Sequence, residues 1–382
     1  MYSTTLHSLP RNHTLCKWLA LIFFLSGILS RVCAVSASAN QTEAESSEDG
    51  FVLLPVIAYM PETRLTGGVL FNYYKRHFTG TRSEQVSTVM PAFVYTQNDQ
   101  VSFELSADLY FDRGRYRLQG YLSYRQFPDK FYGIGNDTDR DNEESYTPRI
   151  FSTDLSVQKR ILSQTYAGIR FSFEEHELVE VEPSGLLQHG DIPGSAGGRT
   201  VGVGLTLFRD SRDHAFYPSS GGILDIILEE YDSHIGSDYK YTHFTVDVRR
   251  YYRIFHAQIL ALQGYADFIS GRAPFDKLAL LGKTGDCNLL RGFYQGRFRE
   301  KNLAVLQGEY RFPVWWRFGM AFFCGVGQVS GELDAFSPEN LHYSYGSGLR
   351  FCVSKKEKLN IRLDFGFGHN TSGIYLSIGE AI

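Results

Sequence analysis

The most restrictive feature of this chain is a repeated two-residue alternation of apolar and polar side chains. The pattern is clear in segments 101–109, 115–125, 243–249 and 361–368, where one face is apolar and the other carries glycine and charges of both signs. Successive side chains of a β-strand point to opposite faces, so each segment is predicted to be a strand with one apolar face. No sustained helical spacing follows the first forty residues, and we therefore expect an all-β fold.

Sixteen such segments can be counted, eleven before the connection 270–300 and five after it. They are 51–60, 65–77, 84–97, 99–112, 114–127, 146–160, 164–177, 197–209, 221–233, 237–253, 255–269, 301–314, 317–330, 340–353, 358–368 and 373–382. Strands of this length cross a bilayer at a tilt, and an even number suits a closed single-chain barrel. We expect a sixteen-stranded antiparallel transmembrane β-barrel. A soluble β-protein is the alternative, because alternation alone does not say whether the polar face meets a lumen or bulk water.

The N-terminal region has a different composition. Basic residues precede the apolar run 18–29, and small residues follow it up to residue 39, which is the layout of a secretory signal peptide (1–39). The run is short for a membrane anchor helix, the alternative reading. The polar segment 40–50 is expected to be a disordered periplasmic tether, leaving 51–382 as the barrel. We therefore predict an exported protein of the bacterial outer membrane.

Charge and cysteine content exclude two further classes. Removing residues 1–39, with three basic and no acidic residues, leaves 35 basic against 42 acidic residues and a net charge of −7. This argues against a nucleic-acid partner. Cys287, Cys324 and Cys352 remain, too few for a disulfide framework. If Gly325 faces inward, Cys324 faces lipid, and if Gly348 and Arg350 face inward, Cys352 faces the lumen. The two thiols would then lie on opposite faces of the sheet, so we expect them to be free.

Two motifs carry a family resemblance. The first is the connection Leu290-Arg291-Gly292-Phe293, followed by a strand with Gly308-Glu309-Tyr310-Arg311; the second is the turn 210–222. Together they resemble the Omp85 superfamily of outer-membrane barrels, which includes the D15 surface antigens. The resemblance covers roughly residues 51–382. It implies that the loop between strands 11 and 12, with Arg291, Gly292 and Phe293 at its tip, folds into the barrel.

The resemblance also implies partners for Arg291. In the family, the loop arginine is held by an acid on the next strand, here Glu309, and by an aspartate in a Phe-x-Asp-x-Gly pattern one strand later. That aspartate position is Gly325 in this chain. A second partner must therefore come from elsewhere, and the inward-facing Asp364 is the candidate. A hydrogen-bonded arginine–carboxylate pair in a confined lumen would favour the inward loop. A solvated loop cation is the alternative for Arg291.

The turn matches the family pattern Asp-x-Arg-Asp followed by Pro-x-x-Gly. Its residues are Asp210, Arg212, Asp213, Pro218 and Gly221. Local pairing of aspartate with arginine, the fixed φ of proline and a glycine opening the next strand predict a tight turn without chemistry of its own.

Several fragments that look like enzyme sites do not hold. Gly282-Lys283-Thr284 lacks the glycine that a phosphate loop requires, and the eleven histidines show no zinc-ligand spacing. The acid-rich segment 136–144 could hold a divalent ion or be a solvated loop. We expect no catalytic residue, no metal and no cofactor, and predict that the protein is not an enzyme.

Two classes of function follow from the resemblance. One is assistance in the insertion or translocation of polypeptides; the other is a loop-gated pore for small solutes or a structural surface antigen. The family's periplasmic POTRA modules have no room between the predicted signal and the barrel, so the assembly role does not transfer whole. The implied partners are outer-membrane lipid, the barrel assembly machinery for insertion of this chain, and a polypeptide client. The alternating segment 373–382 resembles the terminal strand by which that machinery recognises barrels.

Overall fold

The computed structural model describes residues 49–382 except 61–63, 76–86, 98–99, 256, 283–287 and 356–357. The predicted signal peptide and nearly all of the predicted tether lie outside the described residues. Asp49 and Gly50, assigned to the tether from sequence, belong to the first strand instead. They pair with the second strand at Lys75 and Tyr74, which explains why the ordered sheet begins earlier than the composition suggests.

Sixteen long strands form one antiparallel sheet. In chain order, β1 to β16 are Asp49–Met60, Arg64–Lys75, Ser87–Thr96, Val101–Phe111, Tyr116–Gln126, Glu144–Leu162, Thr165–Val181, Gly198–Asp210, Gly221–Tyr231, Lys240–Phe255, Gln258–Arg272, Asn302–Trp315, Phe318–Ser330, His342–Ser354, Leu359–Gly368 and Thr371–Ile378. Every predicted strand is present, and the all-β barrel architecture is confirmed. The short strand Asp129–Phe131, which the alternation did not indicate, is the seventeenth member of the sheet and pairs with β6.

Each long strand pairs with the next along the chain, from β1 to β16. Side-chain contacts show that the sheet curls. In the loop between β5 and β6, Asn136 donates to the Asn340 carbonyl at 2.9 Å, and Arg140 donates to the Asn370 carbonyl at 3.3 Å. These partners precede β14 and β16 on the far side of the sheet. Among the described residues, no backbone pairing joins β1 to β16, so the expected closure by hydrogen bonds is not made and these strands flank a seam.

The two faces of the sheet have the polarity of a membrane barrel. On β12, Leu306 is 64% exposed, whereas its inward neighbours Glu309 and Arg311 are fully buried. On β15, Phe367 is exposed and Asp364 is fully buried. Charges inside and apolar side chains outside are the reverse of a soluble sandwich, and they suit strands whose outer face meets lipid. This resolves the alternative that the alternation left open. No helix within the described ranges has the length and apolar character needed to cross a membrane.

The connections differ between the two ends of the sheet. One end has longer loops, including 182–197 between β7 and β8 and 273–301 between β11 and β12, while most turns at the other end are short. The register then brings together the strands that surround the second of these loops. Glu309 pairs with Phe323, Phe323 with Gly346, and Gly346 with Gly366, so β12 to β15 contribute one continuous row to the wall.

Candidate functional site

The tip of loop 273–301 is inside the barrel. Leu290 is fully buried, and Arg291 and Phe293 are each 3% exposed. Gly292 has a φ of +117°, and a Cβ there would lie 2.8 Å from the backbone of Phe367 on β15. Only glycine accommodates both that dihedral and that approach. The tip therefore lies directly against the wall.

A row of glycines in the wall makes room for this approach. A Cβ on Gly366 would lie 2.6 Å from the carbonyl carbon of Arg291, and a Cβ on Gly346 would lie 2.4 Å from the ring of Phe323. The Phe323 ring covers Gly346, and the Arg291 guanidinium lies 3.5 Å from the centroid of that ring. The inward glycines of β14 and β15 thus form a groove that holds the loop backbone and an aromatic platform for its arginine.

Arg291 bridges two carboxylates on different strands. Its Nη2 lies 2.6 Å from Glu309 Oε2 on β12, and its Nη1 lies 2.6 Å from Asp364 Oδ2 on β15. Both acids are fully buried. Two short ionic hydrogen bonds from one planar group fix the direction as well as the position of the side chain. The structure therefore places both partners named from sequence against the loop arginine.

The position of Gly325 explains why the second acid is Asp364. A Cβ on Gly325 would lie 2.8 Å from Leu290 Cδ2 and 2.7 Å from Gln307 Cβ. The space beside β13 that an aspartate would need is filled by the loop itself. The carboxylate is supplied instead from β15, two strands farther along the sheet.

Three more arginines and one more acid complete the network. Four buried guanidinium groups (Arg291, Arg311, Arg350, Arg362) meet the carboxylates of Glu309, Asp364 and Glu380, and Arg311 donates to the main-chain oxygen of Ile382 at 2.7 Å. Arg350 links all three acids, with Nε 2.8 Å from Glu380 Oε2. Buried charges need such partners because each unpaired one costs several kcal/mol. Sequence reasoning did not assign these residues to the site, although their inward positions follow from the alternation on β12, β14 and β15.

Polar contacts also hold the loop backbone. The Gly292 amide donates to the Tyr375 hydroxyl at 2.8 Å, and the Thr371 hydroxyl donates to the Gly292 carbonyl at 2.9 Å. Ser344 donates to the carbonyl of Arg291. These contacts come from β14 and β16. With Glu309 on β12, Phe323 on β13 and Asp364 on β15, all five strands from β12 to β16 hold the loop.

The predicted turn 210–222 is compact and reaches the same network. Arg212 Nη2 lies 2.6 Å from Asp210 Oδ2, and Asp213 accepts hydrogen bonds from the amide and hydroxyl of Ser219. Burial opposes ionisation of Asp213, but the Ser219 hydrogen bonds prevail and lower the pKa of its carboxyl. Gly221, with a φ of +81°, cannot carry a side chain because a Cβ would lie 1.9 Å from the Ser211 carbonyl oxygen.

Tyr217 connects the turn to the charge network. The Arg311 guanidinium lies 5.8 Å from the centroid of the Tyr217 ring. Burial, followed by the nearby Glu380 carboxylate, raises the pKa of Tyr217 to about 12, so its hydroxyl keeps its proton. Pro218, beside it, is buried. The two motifs singled out from the sequence therefore contact one lumenal site.

The long loops pack together over the end of the barrel opposite to the turn 210–222. Phe275 in loop 273–301 packs against Phe131 and Tyr146, with ring centroids 5.3 and 5.6 Å away. Tyr294 of the same loop donates to Asp129 at 3.0 Å. We call the described residues of 127–143, 182–197 and 273–301 the cap. Loop 273–301 is therefore held at two places, by the other cap segments at the barrel mouth and by the Arg291 network in the lumen.

One group of side chains in the described residues has the composition and spacing to hold a metal ion. It comprises Glu174 and His176 of β7 and Asp276 of the cap. The acid-rich segment 136–144, considered for a cation from sequence, instead lies across the barrel mouth, where Asn136 accepts from the amide of Val329 at 3.1 Å. Cys324 and Cys352 are free thiols, as predicted, while Cys287 lies outside the described residues.

Comparison with known proteins places this geometry in a family. A search of curated proteins gave no match. BamA from Haemophilus ducreyi, in a structure lacking POTRA domains 1–3, is similar with a TM-score of 0.58 and 14% identity, over 87% of this chain and 70% of that one. CdiB from Acinetobacter baumannii is similar with a TM-score of 0.55 and 11% identity, over 87% of this chain and 60% of that one. At such identities these likenesses show the fold, and this chain spans less than two thirds of that CdiB. The sequence pattern of the Omp85 superfamily domain matches residues 77–382. With most of its length matched, the chain belongs to the Omp85 superfamily.

Proposed function

We propose that this protein assists the insertion or translocation of polypeptides at the bacterial outer membrane. Family membership and the shared barrel fold support an outer-membrane location. The signal peptide predicted for residues 1–39 would supply export, and the barrel assembly machinery would insert the chain. The prediction that the protein is not an enzyme is part of this proposal.

The seam carries the proposal. Backbone pairing runs from β1 to β16, but no pair joins these two strands within the described residues. Strand edges with free amides and carbonyls are templates for the addition of another strand. An entering polypeptide segment can therefore satisfy its backbone at the seam while its apolar side chains reach lipid.

The lumenal site supports this reading over an open pore for solutes. Arg291 is bound to opposite acids within the lumen, and the cap packs over the barrel mouth. These contacts fix the loop against the strands from β12 to β16 and leave it inside the lumen. A loop-gated pore remains the second candidate because the loop is held by polar groups, which water could replace if it moved.

Photocrosslinking tests the seam directly. A photoreactive residue replacing Phe51 on β1 or Ile374 on β16 should capture unfolded outer-membrane polypeptides. Leu205 on β8 is the matched control, since it is also outward and 61% exposed but lies far from the seam. Adducts at positions 51 and 374 but not 205 are expected.

Bilayer conductance of the purified barrel distinguishes the loop-gated pore from the assembly proposal. Equal or absent crosslinking at all three positions, together with a large stable conductance that rises in Arg291→Ala, would replace the assembly proposal with a gated pore.

A further inference from the structure

A buried cluster beneath the cap lies apart from the Arg291 network. Glu174 and His176 lie two residues apart on β7 and share one face, while Asp276 comes from the short turn Phe275–Lys277 of loop 273–301. One ligand atom from each residue lies within 4.8 Å of the others. The His176 side chain is 1% exposed, and its Nδ1 lies 3.8 Å from Asp276 Oδ2.

The histidine is oriented with an unused nitrogen toward the acid. Its Nε2 lies 3.0 Å from the carbonyl oxygen of Gly194. A carbonyl can only accept, so Nε2 carries the proton and Nδ1 presents a lone pair. His176 Nδ1 and Asp276 Oδ1 are both buried without a hydrogen-bond partner among the described residues. Two acceptors buried this close together are unfavourable unless they share a proton or bind a metal cation.

One cationic side chain, Lys277, already lies in this cluster, and it pairs with Glu174. Lys277 Nζ lies 2.5 Å from Glu174 Oε2, which neutralises that carboxylate. The nearest cationic or ionisable partner of the Asp276 carboxylate among the described residues is His176, whose Nδ1 lies 3.8 Å from Asp276 Oδ2. The Lys277 side chain is 28% exposed and therefore has a path to solvent if another cation takes its place.

We propose that Glu174, His176 and Asp276 bind one Zn²⁺ ion through His176 Nδ1 and an oxygen of each carboxylate. Zn²⁺ accepts both imidazole nitrogen and carboxylate oxygen as ligands, and three protein ligands leave its fourth position open, whereas Mg²⁺ and Ca²⁺ prefer oxygen alone. The bond from Nε2 to a backbone carbonyl is the second contact that zinc-binding histidines usually make. Asp276 lies about a hundred residues from His176, which is why histidine spacing along the chain indicated no site.

The ion would tie the start of loop 273–301 to β7. Gly194 and Pro193 already contact this part of the loop: the Phe275 amide donates to the Pro193 carbonyl at 2.8 Å. The site would therefore link the cap to β7 near the start of loop 273–301, the loop that carries Arg291. This inference does not depend on the proposed function, because it concerns metal binding to the folded barrel.

Zinc titration of the full-length protein in detergent tests the proposal. We expect about one Zn²⁺ per chain, with binding weakened at least about tenfold in His176→Gln and in Asp276→Asn. Glutamine keeps a donor for the Gly194 carbonyl and removes only the ligand. His189→Gln, an exposed histidine in loop 182–197, is the matched control and should bind as the wild type does. Lys277→Gln removes the competing cation and should tighten binding.

A second measurement avoids the question of whether the variants fold. Zinc X-ray absorption of the wild-type protein should show one imidazole nitrogen and carboxylate oxygens at about 2.0–2.2 Å. Sulfur in the coordination shell, absence of binding by the wild type, or unchanged affinity in both folded ligand variants would overturn the assignment.

Discussion

Leu290 occupies the space beside Gly325: a Cβ built on Gly325 would lie 2.8 Å from Leu290 Cδ2. The inward position of the loop thus explains why position 325 holds glycine and not an acid. Where an aspartate on β13 would have met the loop arginine, this chain places an apolar side chain of the loop and takes the carboxylate from Asp364.

Gly325→Asp should therefore destabilise the barrel rather than strengthen the hold on the loop. We expect a loss of about 1–3 kcal/mol, as for other overpacked interiors. Leu290→Ala in the same chain should return part of that loss by opening the space. Unfolding in denaturant with detergent measures both. Equal or greater stability of Gly325→Asp alone would show that the loop does not fill this space.

Arg291→Met should cost about 3 kcal/mol, because it removes two short bonds to buried carboxylates while keeping the side-chain stem. Arg291→Lys should recover less than half of this loss, since an ammonium cannot present the planar pair of donors that spans Glu309 and Asp364. Arg115→Met is the control, because the Arg115 side chain is 55% exposed in a short turn. Full recovery by lysine would reduce the site to a simple charge contact.

Two leucines of equal exposure test which surface meets lipid. Leu306 on β12 is 64% exposed, and Leu333 in the β13–β14 loop is 65% exposed. In lipid vesicles, Leu306→Arg should cost about 2–4 kcal/mol if it lies near the bilayer centre, whereas Leu333→Arg should be nearly neutral. Folding equilibria in vesicles measure the difference. Similar small effects for both would return the chain to the soluble β-protein class.

Asp213 should make the turn sensitive to acid. Hydrogen bonds from Ser219 lower its folded-state pKa below the unfolded value of about 4. Its stabilisation is therefore complete above that value and is lost as pH falls through the lower folded pKa. Asp213→Asn should cost about 1 kcal/mol at pH 7. The gap from wild type should narrow toward pH 3, and a gap that widens there would contradict this sign.

The sequence predicted the strands well because their signal is local. Segment 359–368 alternates strictly, and the predicted strand 358–368 differs from the observed Leu359–Gly368 by one residue. The same alternation gave the inward direction of Asp364. The first strand begins two residues before the predicted start of the barrel at 51, because Asp49 and Gly50 pair with β2 although neither has an apolar side chain.

What the sequence could not supply are contacts between distant segments. The short strand Asp129–Phe131 is too brief for a periodic signal, and it is held by β6 and by Phe275 from the cap. The neighbours of Arg311, which include Glu380 and Tyr217, come together only when the sheet curls. The spacing of residues along the chain cannot predict such long-range contacts.

The position of the loop tip is the central claim, and cysteine crosslinking tests it most directly. In a chain whose native cysteines are serine, Leu290→Cys and Gly325→Cys should join through a disulfide or a short bifunctional reagent. The single Leu290→Cys should resist a membrane-impermeant maleimide, whereas His189→Cys in the exposed part of loop 182–197 should react quickly. No crosslink, together with equally fast labelling at positions 290 and 189, would place the loop outside the barrel.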